Sequence, residues 1–273
     1  MNYRKEIPNR FMNKVAVVTG GSAGIGRATV EELCREGASV TFTGLEPDQC
    51  AETEGELLAA GWKVQFLAGD MAEEAFATRI VEETMARFKR VDFLVNNAFS
   101  FIAKGQDATT RDWHRTFDVG PIAYARMGTL VASEMRKVGG GSIVNVSSIS
   151  AFIAQRGRWT YNTAKGAVHT LTKCMALDLA PDRIRVNSVS PGWIWTQEVL
   201  KAAGGDREKW DPIWGQFHML ERCGNPVEVA AAILFLLSDD ASFITAADLA
   251  VDGGYHGLGC EGLGKNSFFA GSQ

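Results

Sequence analysis

Apolar residues along the chain fall into two spacings. Short, mainly apolar runs of three to five residues, as at Val15 to Val18, Ser39 to Thr43, Val64 to Leu67, Phe93 to Val95, Ser142 to Val146, Arg185 to Val189 and Asp248 to Val251, read as strands buried on both faces. Between them lie longer segments of helical period at Ile25 to Glu36, Pro47 to Ala60, Ala72 to Phe88, Arg111 to Lys137, Tyr161 to Leu179 and Pro226 to Ser238. Strand and helix alternate almost throughout. That order predicts an α/β fold, a doubly wound parallel sheet of about seven strands with helices on both faces. No Pro/Ser-rich linker or internal repeat divides the pattern, which predicts a single domain over residues 1–273. Two stretches break the rhythm. Residues 197–222 carry Gly204-Gly205 and Trp210 to Trp214 and fall where a lid over the strand C-termini belongs. The tail 255–273 is glycine-rich and is expected to pack as an arm on its own core or on a neighbouring subunit.

Composition narrows the function. With 28 Lys+Arg against 32 Asp+Glu, a net charge of -4 and no block of like charge, a nucleic-acid-binding surface has little compositional support. No stretch reaches the ~18 consecutive apolar residues of a membrane span, and the N-terminus MNYRKEIPNR has no apolar signal core. The expectation is a soluble, cytoplasmic protein acting on a small molecule, without membrane or nucleic-acid partners. Cys34, Cys50, Cys174, Cys223 and Cys260 are odd in number and lack ligand spacing, so neither a disulfide framework nor a metal is expected.

Chemistry begins at VAVVTGGSAGIG, residues 15–26, where a buried strand enters a helix through a glycine loop. Gly20 permits a sharp turn, Gly24 a close backbone approach to a pyrophosphate, and Gly26 tight packing of helix on strand. The spacing TGxxxGxG over Thr19 to Gly26 resembles the fingerprint of the short-chain dehydrogenase/reductase family, and matches recur in order down the chain. Asp70 follows the third strand, Asn96-Asn97-Ala98 follows the fourth with Phe99 in place of the family glycine, and Pro191, Gly192, Ile194 and Thr196 stand in PGWIWT. Asp252-Gly253-Gly254 closes the last strand, although Thr245-Ala246 departs from the usual Thr-Gly. The resemblance spans residues 14–254. It implies a Rossmann-type domain in which Gly20, Ser22, Gly24, Ile25, Gly26, Leu45, Asp70, Met71, Asn97, Ala98, Pro191, Gly192, Ile194 and Thr196 contact a nicotinamide dinucleotide.

Tyr161 and Lys165 of YNTAK are four apart on a predicted helix and share a face. An ammonium beside a phenol lowers the phenol pKa from about 10 toward a value useful to a general acid/base. Ser148 lies thirteen residues before Tyr161, just past the fifth strand. The resemblance implies that Tyr161 moves the hydroxyl proton, Ser148 holds the reacting oxygen, and Lys165 tunes Tyr161 and binds the nicotinamide ribose, so that these two also count as cofactor contacts. One position departs. Gly120 in FDVGPIAY replaces the family asparagine of a proton relay, and Pro121 beside it predicts a helix kink. Asp118 and His114 are nearby in sequence. Activity is expected to persist with an altered proton path.

Gly44 and Leu45 end the second strand without an acid or a base, Ala23 offers no base in the loop, and Glu46 would repel a ribose phosphate, so the expectation is NAD, with NADP as the alternative. Arg27 is the base within reach of that phosphate. For the substrate, three tryptophans, Trp159, Trp193 and Trp195, adjoin the motif segments, and Gln155, Arg156 and Arg158 precede Tyr161. Aromatic walls suit a ring, and arginines suit an anion. The candidate substrate side is Gln155, Arg156, Arg158, Trp193 and Trp195, for a cyclic hydroxylated compound such as a sugar or sugar acid, oxidised with NAD. The competing readings are an NADP-dependent ketoreductase of the 3-oxoacyl type and a nucleotide-binding scaffold with weakened turnover. The resemblance further implies a homotetramer or homodimer, and Val229 to Leu237 is more apolar than one buried helix face requires.

Overall fold

The computed structural model describes residues 6–259. Strands β1 (Val15–Val18), β2 (Ser39–Gly44), β3 (Val64–Ala68), β4 (Phe93–Asn96), β5 (Gly141–Val146), β6 (Ile184–Pro191) and β7 (Asp248–Val251) form one parallel sheet. Its order is β3-β2-β1-β4-β5-β6-β7. The chain winds outward from β1 to β3, then returns to place β4 against β1, pairing Val17 with Leu94. A crevice opens outside the carboxyl ends of β1 and β4 at this reversal.

Alternation along each strand divides the core. Ala16 and Val18 of β1, with Phe42 of β2, face the side covered by α1 (Gly24–Arg35) and α9 (Pro226–Leu237), where Val30, Leu33, Ile233 and Leu234 are buried. Val17, Leu94 and Ile143 face the other side, covered by α3 (Glu74–Phe88), α5 (Ala123–Lys137) and α6 (Trp159–Leu179). Helix α2 (Pro47–Ala59) packs along the β2–β3 edge and begins at Pro47, where a missing N–H costs nothing. Six residues of α9 are buried, including Leu236 and Leu237, so most of its surplus apolar surface is absorbed within the chain.

The stretch expected as one helix over 111–137 is two. Helix α4 (Thr110–Phe117) starts at a capping box, Thr109 with Asp112, and is followed by a π-turn at Asp118–Ile122 in which Gly120 leaves helical geometry at ψ -112°. Pro121 lacks the N–H that would continue the ladder, which accounts for the break. The lid stretch contains α7 (Gln197–Ala202) and α8 (Arg207–Gly215). Of the expected C-terminal arm, only a short 3-10 turn at Tyr255–Gly257 and the two residues after it fall among the described residues; residues 260–273, with Cys260, lie outside them. Among the described residues no helix is long and apolar enough to cross a membrane.

Candidate active site

The loops after β1, β4, β5 and β6 converge on a cleft of about 800 Å³ at the carboxyl edge of the sheet, with Tyr161 and Lys165 of α6 on one wall and α7 and Trp214 of α8 over it. Its β1 side is built by backbone. Gly20 and Gly24 have φ of 65° and 55°, the left-handed region in which a side chain is disfavoured. A Cβ at Gly26 would lie 2.0 Å from Gly20 O, so the helix is seated directly on the loop. Asn97 holds the loop from the β4 side: its Nδ2 donates to Thr19 O at 3.0 Å and Gly20 O at 2.9 Å, while the backbone N–H groups of Asn97 and Ala98 donate to Thr19 Oγ1. Asn96 is buried and reaches across the sheet to Asn145 Oδ1 at 2.9 Å.

The first turn of α1 suits an anion. Ala23 at the N-cap has no side-chain oxygen, the first turn carries no acid, and Gly20, Ala23, Gly24 and Ile25 line the cleft, so the helix begins at the cleft without a side-chain cap. These residues fit a dinucleotide pyrophosphate. Pro191, Gly192, Ile194 and Thr196 line the opposite side, where a Cβ at Gly24 would come within 3.2 Å of Thr196 Cγ2. Five of the expected cofactor residues do not line the cleft itself. Gly26 packs beneath the loop; Ser22 is buried against Gly44; Met71 is buried and receives a weak hydrogen bond from Thr43. Leu45 is 56% exposed at the end of β2. Asp70 is held by Ala72 N–H and by Arg115 at 2.6 Å; burial pushes its carboxyl up, but the two partners outweigh it and the net direction is down.

At the far wall, Ser148 follows β5 and its Oγ accepts from Ser150 N–H at 3.1 Å. The Ser148 hydroxyl faces the same cleft as Tyr161 and acts to lower the Tyr161 pKa. Lys165, one turn after Tyr161 on α6, is only 3% exposed; its Nζ donates to Val146 O at 2.8 Å and lies 3.8 Å from the centroid of the Phe99 ring. Burial pushes the Lys165 ammonium down to about 7. The Tyr161 phenol moves up rather than down: burial raises it, and Ser148 and the charge of Arg158 pull it only part of the way back. The lowering expected from Lys165 is absent because Nζ is turned to Val146 O, 5.8 Å from the phenol ring centroid, and is itself weakened as a cation by desolvation. Ser147 serves the fold, donating to Lys165 O, and Ser150 donates to Gln155 Oε1 at 2.7 Å, which fixes that side chain at the cleft.

Aromatic rings form the rest of the wall. Phe99 and Phe101 meet the Tyr161 ring edge-on at 5.4 and 4.8 Å. Trp193 stacks on Trp214 at 4.8 Å and Trp214 on Trp210 at 4.9 Å, which ties α8 to the segment after β6. Of the substrate candidates, Gln155, Arg158 and Trp193 line the cleft. Arg158 lies 5.7 Å from the Phe101 ring and 5.8 Å from Trp193, and among the described residues it has no ion pair. Arg156 and Trp195 are not brought to the cleft: Arg156 is exposed outside it, while Trp195 is buried under the lid and donates to Asp211 Oδ1 at 2.5 Å. Trp159 is 52% exposed, and neither His114 nor Asp118 reaches the site. His218 is buried and accepts from Trp193 N–H, a structural role, and burial pushes its pKa down. Phe99, Phe101 and Trp214 line the cleft without having been singled out as site residues. The one trace of Phe99 in the sequence is its place in a motif that expects glycine.

A family model described as enoyl-(acyl carrier protein) reductase matches residues 20–256. The chain is also 40% identical to the cyclopentanol dehydrogenase of Comamonas sp. (strain NCIMB 9872) over 251 residues, covering 90% of this chain and 98% of that protein. The chain belongs to the short-chain dehydrogenase/reductase family. Within the family it is 34% identical to the cyclohexanol dehydrogenase of Acinetobacter sp. (strain SE19), over 92% of this chain and 98% of that one. Among solved structures it resembles a 7α-hydroxysteroid dehydrogenase complexed with NADH and 7-oxo glycochenodeoxycholic acid, with a TM-score of 0.85 and 30% identity over 90% of this chain and 96% of that chain. As a member of the short-chain dehydrogenase/reductase family, the protein is an oxidoreductase that moves hydride between NAD or NADP and a secondary alcohol or its carbonyl.

Proposed function

We propose that the protein oxidises an alicyclic secondary alcohol with NAD, using Tyr161 as the proton acceptor, Ser148 to hold the alcohol oxygen, and Lys165 to bind the nicotinamide ribose beside Tyr161. The carrying observation is that Ser148, Tyr161 and Lys165 converge on the same cleft that the glycine loop lines. Residues 20–25 and 191–196 would hold the dinucleotide, which when bound accepts the hydride. The protein's own work is positional. Ser148 and Tyr161 present two hydroxyls to one oxygen, and the Phe99, Phe101 and Trp193 rings exclude water and pack on a flat ring. Two relatives named for cyclopentanol and cyclohexanol support a cyclic substrate. For NAD over NADP the support is Arg27: both of its hydrogen-bonding arms engage acids, Glu31 and Glu56, so the nearest base is already neutralised. Self-association is supported by Leu177 on α6, 77% exposed, and by the fully exposed Phe243 beyond α9, and is read as a homotetramer or homodimer. Free thiols at Cys34, Cys50, Cys174 and Cys223 suit a cytoplasmic location.

The test is turnover by the purified protein on cyclopentanol, cyclohexanol and a panel of sugars and sugar acids with each dinucleotide. Reduction of NAD by a cyclic alcohol is expected, with Tyr161→Phe losing ~10²- to 10⁴-fold in kcat/KM. Turnover confined to NADPH and a 3-oxoacyl thioester would replace the reading with the ketoreductase one. Binding of NAD without turnover on any compound would favour a scaffold.

A further inference from the structure

Two of the departures from the family pattern, Phe99 and Gly120, are twenty-one residues apart in sequence and touch in space. A Cβ built at Gly120 would fall 2.6 Å from Phe99 Cε2 and 3.3 Å from its Cδ2 and Cζ. The ring therefore occupies the volume that any side chain at 120 would need. From there it presents its edge geometry to Tyr161, at 84° and 5.4 Å, and sits 3.8 Å from Lys165 Nζ. That nitrogen is buried, and among the described residues its hydrogen-bond acceptor is Val146 O, which Tyr124 Oη also approaches at 3.5 Å. An ammonium has three donors, and burial beside one shared carbonyl raises the cost of its charge. An aromatic face inside about 6 Å supplies the missing attraction through its quadrupole.

We propose that Phe99 is a positioning residue for Lys165, holding the ammonium beside Tyr161 on its ring face, and that residue 120 is glycine because the ring lies where its side chain would be. The inference rests on the roles given above to Tyr161 and Lys165, and it adds a residue pair that those roles do not contain. The titratable groups packed around Nζ are Tyr161 on its own helix and Tyr124 on α5. Burial favours the neutral amine, while the ring face favours the ammonium.

Phe99→Leu separates the ring face from its bulk, since it keeps apolar volume and removes the quadrupole. The full-length protein with isotope-labelled lysine is titrated by NMR, with Lys165→Arg assigning the signal. Lys165 is expected to lose its proton about 0.5 to 1 pH unit lower in Phe99→Leu than in the parent. An unchanged Lys165 titration in folded Phe99→Leu overturns the proposal. Gly120→Ala pushes the ring and is expected to lower kcat/KM by roughly ten- to a hundredfold. Phe99→Ala combined with Gly120→Ala recovers part of that loss, and no recovery overturns the steric pairing. Should Gly120→Ala not fold, the Phe99→Leu titration decides alone. The titration needs no turnover, so a protein that ignores cyclohexanol but shows the shift would sink the substrate reading and leave the Phe99–Lys165 contact standing.

Discussion

A lysine buried to 3% exposure loses the water that ordinarily stabilises its charge, and at Lys165 one carbonyl and one ring face replace it incompletely. Its pKa falls from 10.5 to about 7, and the sign of the linked stability follows. Between those values the unfolded chain binds the proton and the folded protein does not, so stability rises with pH across that window; below about 7 the charged amine is buried at its full cost. Lys165→Met removes the group. Its gain in Tm over the parent is expected to be largest below pH 7 and to shrink toward pH 10.5, as measured by thermal unfolding across that range. A gain that grows with pH would contradict the burial argument. Spacing alone put Tyr161 and Lys165 on one helix face, and the family resemblance added Ser148. The direction of the Tyr161 pKa was not legible, because it depends on how much water each group keeps, which no spacing encodes. Phe99 and Gly120 each read as an isolated departure, since nothing in the sequence says that they touch.

The glycine loop shows how an element is constrained by its neighbours. A methyl at Gly26 would meet Gly20 O at 2.0 Å and Asn97 Nδ2 at 2.5 Å, both held by the hydrogen bonds that join the loop to β4. Neither is the flexible end of a long side chain. Gly26→Ala is therefore expected to destabilise by about 1–3 kcal/mol in urea unfolding and to weaken NAD binding in calorimetry. Retained stability would mean that the loop shifts freely. At this scale the sequence was read well where the helical period is sustained, as in α1, α6 and α9. The kink at Gly120-Pro121 was expected, but its outcome was two helices joined by a π-turn rather than one bent helix. The lid helices α7 and α8 were not read at all. Each is short, α8 contains Pro212, and what holds α8 is the Trp193–Trp214–Trp210 stack, a contact between segments seventeen or more residues apart.

Across the whole molecule, the sheet order places the ends of β1, β4, β5 and β6 side by side, so a dinucleotide would run from the β2 edge to α6 and meet charge only where side chains put it. At the β2 end that charge is unfavourable to a phosphate: Leu45 is apolar and exposed, and Arg27 is engaged by two carboxylates. Leu45→Arg adds a bare guanidinium there. The ratio of kcat/KM for NADP over NAD is expected to rise by roughly 10- to 100-fold, the yield of one or two charge-assisted hydrogen bonds. An unchanged ratio would place the ribose elsewhere. The strand-helix alternation, the phosphate loop and the Tyr161–Lys165 pair were all decided by the sequence, because they rest on period, on glycine's conformational range and on spacing within one element, which are local. The tertiary structure alone decided that Arg27 is neutralised, that Trp195 lies under the lid rather than in the cleft, and that Phe99 fills the space beside Gly120 against Lys165. Those outcomes depend on which distant side chains compete for the same volume, charge or water, and that competition exists only once the chain has folded.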